Sequence, residues 1–368
     1  MLTFPFGPKI DEDDPLGLLA HRAGRRDLLR RGAAAGLLAG AAASIGGFAY
    51  AQETPVPNQP GSRPGDVVGS DTHSMDTGES SPVPVGKPRW SRYDPVLKPA
   101  EPGEKTFPLV AQDMITMVAP NVPYSAWTFN GSVPGPAMRA RQGDKINVIM
   151  SVDPKASTAH SIDFHSAQTP PNVNFKTVLP GQSHSWSYTP NHPGAYMYHC
   201  GTPPVLMHIG TGMYGAMIID PPGGWPPAQE FVFVQSDFYL KDSGNGIMVP
   251  DYTKMLGTGQ MDYVVFNGYA NQYVKEPIPV RINEPIRVFV VNAGPNAWSS
   301  FHVVGAIFDH GYPNANPKNA LEGLQSISIG PGDGAAVEFT VTEPGEYVAV
   351  NHAFGHAAHG AIAVFQAS

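Results

Sequence analysis

A single cysteine, Cys200, stands in a chain of 368 residues, and only 15% of those residues are charged. One thiol cannot close an intrachain disulfide, so Cys200 is either an inert buried sulfur or one that does chemistry. Long amphipathic helical patterns are missing too, which excludes a helical bundle. Charge is sparse and acidic, with 23 Lys and Arg against 31 Asp and Glu for a net charge of −8, so the balance is not basic enough to point to nucleic acid. What the chain has instead is 40 Gly, 39 Pro and 42% hydrophobic residues. That is the balance of a soluble β-rich protein with many turns, long enough for two domains.

The N-terminus carries Gly24-Arg25-Arg26-Asp27-Leu28-Leu29-Arg30, then an uncharged Ala/Gly/Leu run from Gly32 to Ala51 that ends in Ala49-Tyr50-Ala51. Twin arginines, a weakly apolar run and an A-x-A ending predict a twin-arginine signal peptide over 1–51 and a periplasmic destination, without stable membrane insertion. Its removal takes 6 basic and 5 acidic residues and leaves 17 basic and 26 acidic, a net charge of −9. Residues 52–100 read as a flexible linker: up to about Pro88 they are dense in Pro, Gly, Ser and Asp. His73-Ser74-Met75 within it is best read as solvated linker.

From Thr106 onward, short β-branched and aromatic runs alternate with Pro/Gly turns, as in a β-sandwich or barrel. The pattern repeats. Trp127-Thr-Phe-Asn130-Gly131 returns as Val264-Val-Phe-Asn267-Gly268, Leu179-Pro180-Gly181 as Gly330-Pro331-Gly332, and Pro193-Gly-Ala-Tyr196 as Pro344-Gly-Glu-Tyr347. The expected fold class is therefore all-β: one domain duplicated over 101–222 and 223–368, with the seam near Pro221-Pro-Gly-Gly-Trp-Pro-Pro227.

Cys200 sits in Tyr196-Met-Tyr-His199-Cys200, with His208 and Met213 following. A soft sulfur, an imidazole a short loop later and a thioether beyond it is the order that supplies a copper electron-transfer site, with His160 as candidate second imidazole. A buried cysteine beside unrelated His and Met residues is the bland alternative. Along a strand, neighbouring side chains point to opposite faces. If Cys200 faces the core, His199 faces outward. The same parity applied to His160-Ser-Ile-Asp163-Phe-His165 puts His160 inside with Cys200, His208 and Met213. Asp163, His165 and His199 then share the outer face, where a second metal can sit. The second copy lacks Cys and Met but keeps His302 and His352. His21, His73, His184, His192, His310, His356 and His359 show no partner pattern and read as surface or packing residues.

The motifs Trp127-Thr-Phe-Asn-Gly-Ser-Val-Pro-Gly-Pro136, His160-Ser-Ile-Asp163-Phe-His165, Tyr198-His-Cys200, Ser300-Phe-His302-Val-Val-Gly305 and Val350-Asn-His352 resemble those of the copper-containing nitrite reductases. The resemblance spans Thr106 to Ser368. It implies two tandem cupredoxin-like Greek-key domains. It implies a type 1 copper on His160, Cys200, His208 and Met213, and a type 2 copper on His165, His199 and His352, thus two coppers per chain. By the same resemblance Asp163 and His302 handle protons, and Val304 stands where the family carries an aliphatic residue over the catalytic copper. The implied reaction is reduction of nitrite to nitric oxide in a homotrimer, fed by a small donor protein, either a cupredoxin or a cytochrome c.

Other readings compete. A laccase-type multicopper oxidase needs paired His-x-His motifs and a His directly after the cysteine; the chain has no His-x-His, and Gly201 follows Cys200. A non-catalytic cupredoxin electron carrier would leave His165, His199 and His352 unused. A zinc hydrolase would give the thiolate no purpose.

Overall fold

Runs such as Ile146–Val152 and Ile286–Asn292 are β-branched and bounded by turn residues, and each becomes a strand. A computed structural model describes residues 81–82, 84, 86–257 and 261–368. The expected signal peptide, His73 and Met75 lie outside these. Among the described residues the longest α-helix is Val205–Thr211, of 7 residues, and no helix is long and apolar enough to cross a membrane.

Four sheets carry the fold. In the first half, Lys105–Ala119 is flanked by Val122–Phe129 and Ile146–Val152, and Ser183–Tyr188 closes that sheet. Facing it is a sheet ordered Met138–Arg141, Tyr214–Asp220, Gly194–His199, Asp163–Phe164. The second half repeats the plan, with Gln229–Phe238, Ile286–Asn292 and Gly334–Phe339 in one sheet and Ser299–Val303, Gly345–Asn351 and Ile362–Ala367 in the other. The repeated turns match in conformation: Asn130 and Asn267 adopt left-handed φ of 55° and 54°, and Gly181 and Gly332 share φ of 80° and 79°. Asn and Gly are the residues that tolerate this region, which is why the repeat preserved them.

Each half has its own core, and a third apolar layer joins them. Tyr214–Asp220 is buried along its whole length because Met217 and Ile219 enter the first core while Ala216 and Ile218 pack on Val232, Val234, Phe289 and Val291 of the second half. A strand covered on both faces loses polar alternation. A buried ion network reinforces this layer. Arg139 reaches Asp220 at 2.9 Å and Glu230 at 2.7 Å, and Arg287 reaches Glu230 and Glu338 at 2.6 Å.

Two features depart from the expected boundaries. The segment 89–100, expected as part of the flexible linker, is strapped across the body: the N–H of Arg89 donates to Ile115 O, Val96 bridges Phe231, and Leu97 and Ala100 are buried. Tyr93 explains the strapping, since its hydroxyl donates to Gly135 O at 3.3 Å and accepts from Ala137 N at 2.9 Å. The hairpin of Leu240–Asp242 and Met248–Pro250, from the second half of the sequence, joins the first half's sheet beside Val122–Phe129.

Candidate metal centres

Cys200 follows directly on Gly194–His199 and is fully buried in the first core together with Met213. His208 comes from the helix Val205–Thr211, which sequence reading treated only as a loop. Gly212, at φ 130°, ends that helix and returns the chain so that Met213 N–H donates to His208 O at 3.2 Å, while Cys200 N–H donates to Met213 O at 3.1 Å. His160 is held by an isolated bridge to Val178. The result is a convergence of soft and imidazole donors. The Nδ1 atoms of His160 and His208 are 3.2 Å apart, and Cys200 Sγ lies 3.2 Å from His208 Nδ1 and 3.9 Å from His160 Nδ1. Trp127 packs its ring 4.5 Å from that of His208 and 5.3 Å from that of His160.

Electrostatics fit a bound cation. Burial pushes the Cys200 thiol up, but the hydrogen bond and charge of His160 and the N–H groups of Ser161 and Thr202 outweigh it, so the thiol is more acidic than usual. Burial lowers His160, and it drives His208 down to about 3. Neutral imidazoles beside an acidified thiol are the protonation states that copper requires.

On the other side of the strand end, His199 faces His165. Asp163 pairs in register with His199, and of the segment His160 to His165 only Asp163–Phe164 is regular strand. Two backbone carbonyls set the tautomers: His199 Nδ1–H donates to Cys200 O at 2.9 Å and His165 Nδ1–H to Gly332 O at 3.2 Å. The two Nε2 atoms are thereby turned toward each other, 3.0 Å apart, with Asp163 Oδ2 3.9 Å from His199 Nε2. Such anchoring of the far ring nitrogen is how proteins orient imidazoles on a metal. Burial lowers His199, partly offset by Asp163. Backbone carbonyls leave no residue-type signal, so Gly332 and Cys200 O escaped sequence reading.

Among the described residues these are two clusters suited to a metal: His160, Cys200 and His208, then Asp163, His165 and His199. His352 is not in the second cluster. It sits on an exposed surface after Gly345–Asn351, its ring 5.5 Å from that of His302 and 4.8 Å from that of Phe354. His302 hydrogen-bonds Gln325 O through Nδ1, and Val304 is 47% exposed beside it in sequence. One chain thus supplies two imidazoles at one place and a third, unpaired with them, at another.

The profile of the multicopper oxidase family matches residues 111–224. The copper-containing nitrite reductase of Neisseria meningitidis serogroup A is 39% identical over 236 residues, covering 63% of this chain, and the chain spans 61% of that protein's length. The solved copper nitrite reductase from Nitrosomonas europaea is 34% identical with a TM-score of 0.67, covering 72% of this chain and 94% of that one. The solved copper-containing nitrite reductase from Thermus scotoductus is 32% identical with a TM-score of 0.63, over 72% of this chain and 62% of that one. With the mostly-β duplicated fold and the thiolate–imidazole cluster in place, the chain belongs to the family of copper-containing nitrite reductases.

Proposed function

We propose that the protein reduces nitrite by one electron to nitric oxide, NO2− + 2H+ + e− → NO + H2O, in the periplasm, which it reaches by the twin-arginine route. The electron comes from a small redox protein, a cupredoxin or a c-type cytochrome. His160, Cys200, His208 and Met213 hold the type 1 copper; His165 and His199 of one copy and His352 of a neighbouring copy hold the type 2 copper, in a homotrimer. Bound copper supplies the one-electron redox couple at the thiolate and Lewis acidity toward nitrite at the three imidazoles.

The observation that carries this reading is the covalent adjacency of His199 and Cys200 with their side chains committed to different clusters. The hydrogen bond from His199 Nδ1 to Cys200 O adds a second through-bond link. Asp163 reaches the outer cluster without needing to be a ligand, so its carboxyl can hold a proton toward the oxygen that leaves as water, and His302 supplies the second from the neighbouring copy. Val304 lines the substrate side. The four-part division into signal, linker and two cupredoxin domains belongs to the same reading, with the strap 89–100 counted on the body.

The test is metal analysis of the purified protein combined with a nitric oxide assay from nitrite and a chemical reductant. Two coppers per chain and nitric oxide formation are expected. One copper per chain and no nitric oxide would replace the enzyme by an electron carrier.

A further inference from the structure

The second half contains the first half's thiolate pocket with the metal chemistry taken out. Cys200 N–H donates to Met213 O at 3.1 Å and Met213 N–H to His208 O at 3.2 Å; Asn351 N–H donates to Ala361 O at 3.2 Å and Ala361 N–H to His356 O at 3.2 Å. Ser161 N–H donates to Cys200 Sγ at 3.3 Å, and Ser300 N–H to Asn351 Oδ1 at 3.1 Å. The N–H of Thr202, two residues after the cysteine, also serves the sulfur, and that of Ala353, two after the asparagine, serves Oδ1 at 3.1 Å. Finally, Cys200 Sγ lies 3.2 Å from His208 Nδ1, and Asn351 Nδ2 lies 3.0 Å from His356 Nδ1.

These contacts equate Asn351 with Cys200, His356 with His208, Ala361 with Met213 and Ser299 with His160. The carboxamide divides the thiolate's work. Its oxygen takes over the two backbone N–H groups. Its NH2 group points at the imidazole lone pair, where the first half would put a cation, and also at Trp298 O at 2.9 Å and Gln235 Oε1 at 3.1 Å. With both atoms engaged and the residue fully buried, Asn351 has one rotamer available.

We propose that Asn351 is the positioning residue for His352, with the Asn351–His356 pair acting as an internal substitute for a metal that fixes the exposed loop from which His352 projects. This rests on the reading of His352 as the third imidazole of the catalytic copper. The geometry explains why the residue must be held from below. His352 is anchored by one backbone bond, its N–H to Ser300 O at 2.8 Å, and its exposed ring touches only His302 and Phe354 among aromatic neighbours. Asn351 Oδ1 binds the chain on both sides of that anchor, at Ser300 and Ala353. An imidazole brought to a metal by another copy of the chain needs its loop already in place, because a mobile loop loses affinity to ordering entropy.

The experiment uses the intact copper-loaded protein and measures catalytic-copper affinity by competition with a chelator, together with the type 2 electron paramagnetic resonance signal. The visible thiolate band in the first half serves as internal control. Asn351→Leu, close in shape but without hydrogen bonds, is expected to weaken catalytic copper roughly 10- to 100-fold and broaden its resonance signal while the visible band stays. Asn351→Asp keeps the acceptors for Ser300 and Ala353, and His356 can turn its proton to Nδ1, but the new oxygen faces Trp298 O, so this variant should recover part of the affinity and bind copper more tightly than Asn351→Leu. His352→Ala is run beside them. If His352→Ala leaves copper affinity unchanged, the ligand assignment fails. If it weakens copper while Asn351→Leu, with its visible band intact, binds copper as tightly as the wild type, the positioning role of Asn351 is overturned. Should Asn351→Leu not fold, His356→Leu removes the imidazole, with its hydrogen bonds to Asn351 and the Trp298 backbone, while leaving Asn351 its other partners, and unchanged affinity and signal there would overturn the proposal equally.

Discussion

One β framework has been used twice in this molecule, and the two copies differ in what fills the same hole. In the first half the hole receives a thiolate and two imidazoles whose Nδ1 atoms are 3.2 Å apart. In the second it receives a carboxamide and one imidazole, the carboxamide tied by hydrogen bonds to that imidazole, Gln235, Trp298 and the backbone, and a serine, Ser299, whose buried hydroxyl has no partner among the described residues. A pocket of three ligands without a cation leaves lone pairs facing one another, whereas an amide brings its own donors and acceptors and needs none. The fold therefore does not dictate metal binding; the side chains placed on it do.

The sharpest way to break the comparison is to remove the thiolate. Cys200→Ser should abolish the visible absorption entirely, because thiolate-to-copper charge transfer produces it, and should reduce nitrite turnover with a protein donor to background. Catalytic copper should stay bound, as His165 and His199 lie on the opposite side of the strand. A variant that keeps its band would show that Cys200 is not a ligand.

The second prediction uses the halves against each other. His199→Ala removes a ligand offered by the first half and His352→Ala one offered by the second, and each alone should be inactive. If the outer cluster is completed by a neighbouring copy, unfolding and refolding equal amounts together restores intact sites at some interfaces. Random assembly into cyclic trimers leaves about a quarter of the wild-type sites intact. Recovery of that order, read as nitric oxide formation, supports the shared site. No recovery in mixed trimers verified by mass spectrometry argues for ligands from one chain.

Much of the first half's chemistry is legible in the sequence. Strand parity separates Cys200 from His199 and groups Asp163 with His165, and the structure places both clusters as the alternation requires. The alternation holds although only Asp163–Phe164 is strand, with His160 pinned by its bridge to Val178. The second half's pocket is not legible. The cysteine and its histidine are 8 residues apart, whereas Asn351 and His356 are 5 apart, so the intervening loops do not align and His356 looks like a surface residue. Asn also carries no ligand signature. The strap 89–100 and the crossing hairpin at Leu240–Pro250 depend on contacts with remote strands, which no local pattern announces.

Acid should separate the two proposed copper sites. Burial lowers His160 and holds His208 down to about 3, so the neutral imidazoles of the first cluster survive well below the ordinary histidine range. The proposed outer site, by contrast, draws on His165 and His352, both of which lie at the surface. As pH falls, catalytic copper should leave first while the visible band persists, seen by metal analysis of desalted samples across pH. Within the range where both coppers stay, Asp163→Asn and His302→Ala should each lower turnover roughly 10²-fold and change the pH profile, since a proton is needed on both sides of the leaving oxygen. Near-wild-type rates with an unchanged profile in fully loaded variants would remove both residues from the mechanism.

The smallest effect concerns a buried charge with no metal to answer it. Asp237 lies on Gln229–Phe238 in the second half, 2% exposed, and accepts a hydrogen bond from Tyr239 at 2.6 Å. Burial pushes its carboxyl up to about 6 from an ordinary 3.8, against the lowering effect of Tyr239 and of backbone N–H groups at Ala297 and Asn296. The folded chain therefore holds this proton more tightly than the unfolded chain does. Between about pH 4 and pH 6 stability falls as pH rises, and above that range the full cost of the buried carboxylate remains. A shift of about two pKa units corresponds to about 3 kcal/mol, and reorganisation around a new amide should leave about 1–3 kcal/mol of it recoverable. Asp237→Asn mimics the protonated form, so it should raise the melting temperature at about pH 8 and change nothing at about pH 4, measured on copper-loaded protein by calorimetry. A stabilisation that is the same at both pH values would mean that the carboxylate is not the source, and that the gain came from packing alone.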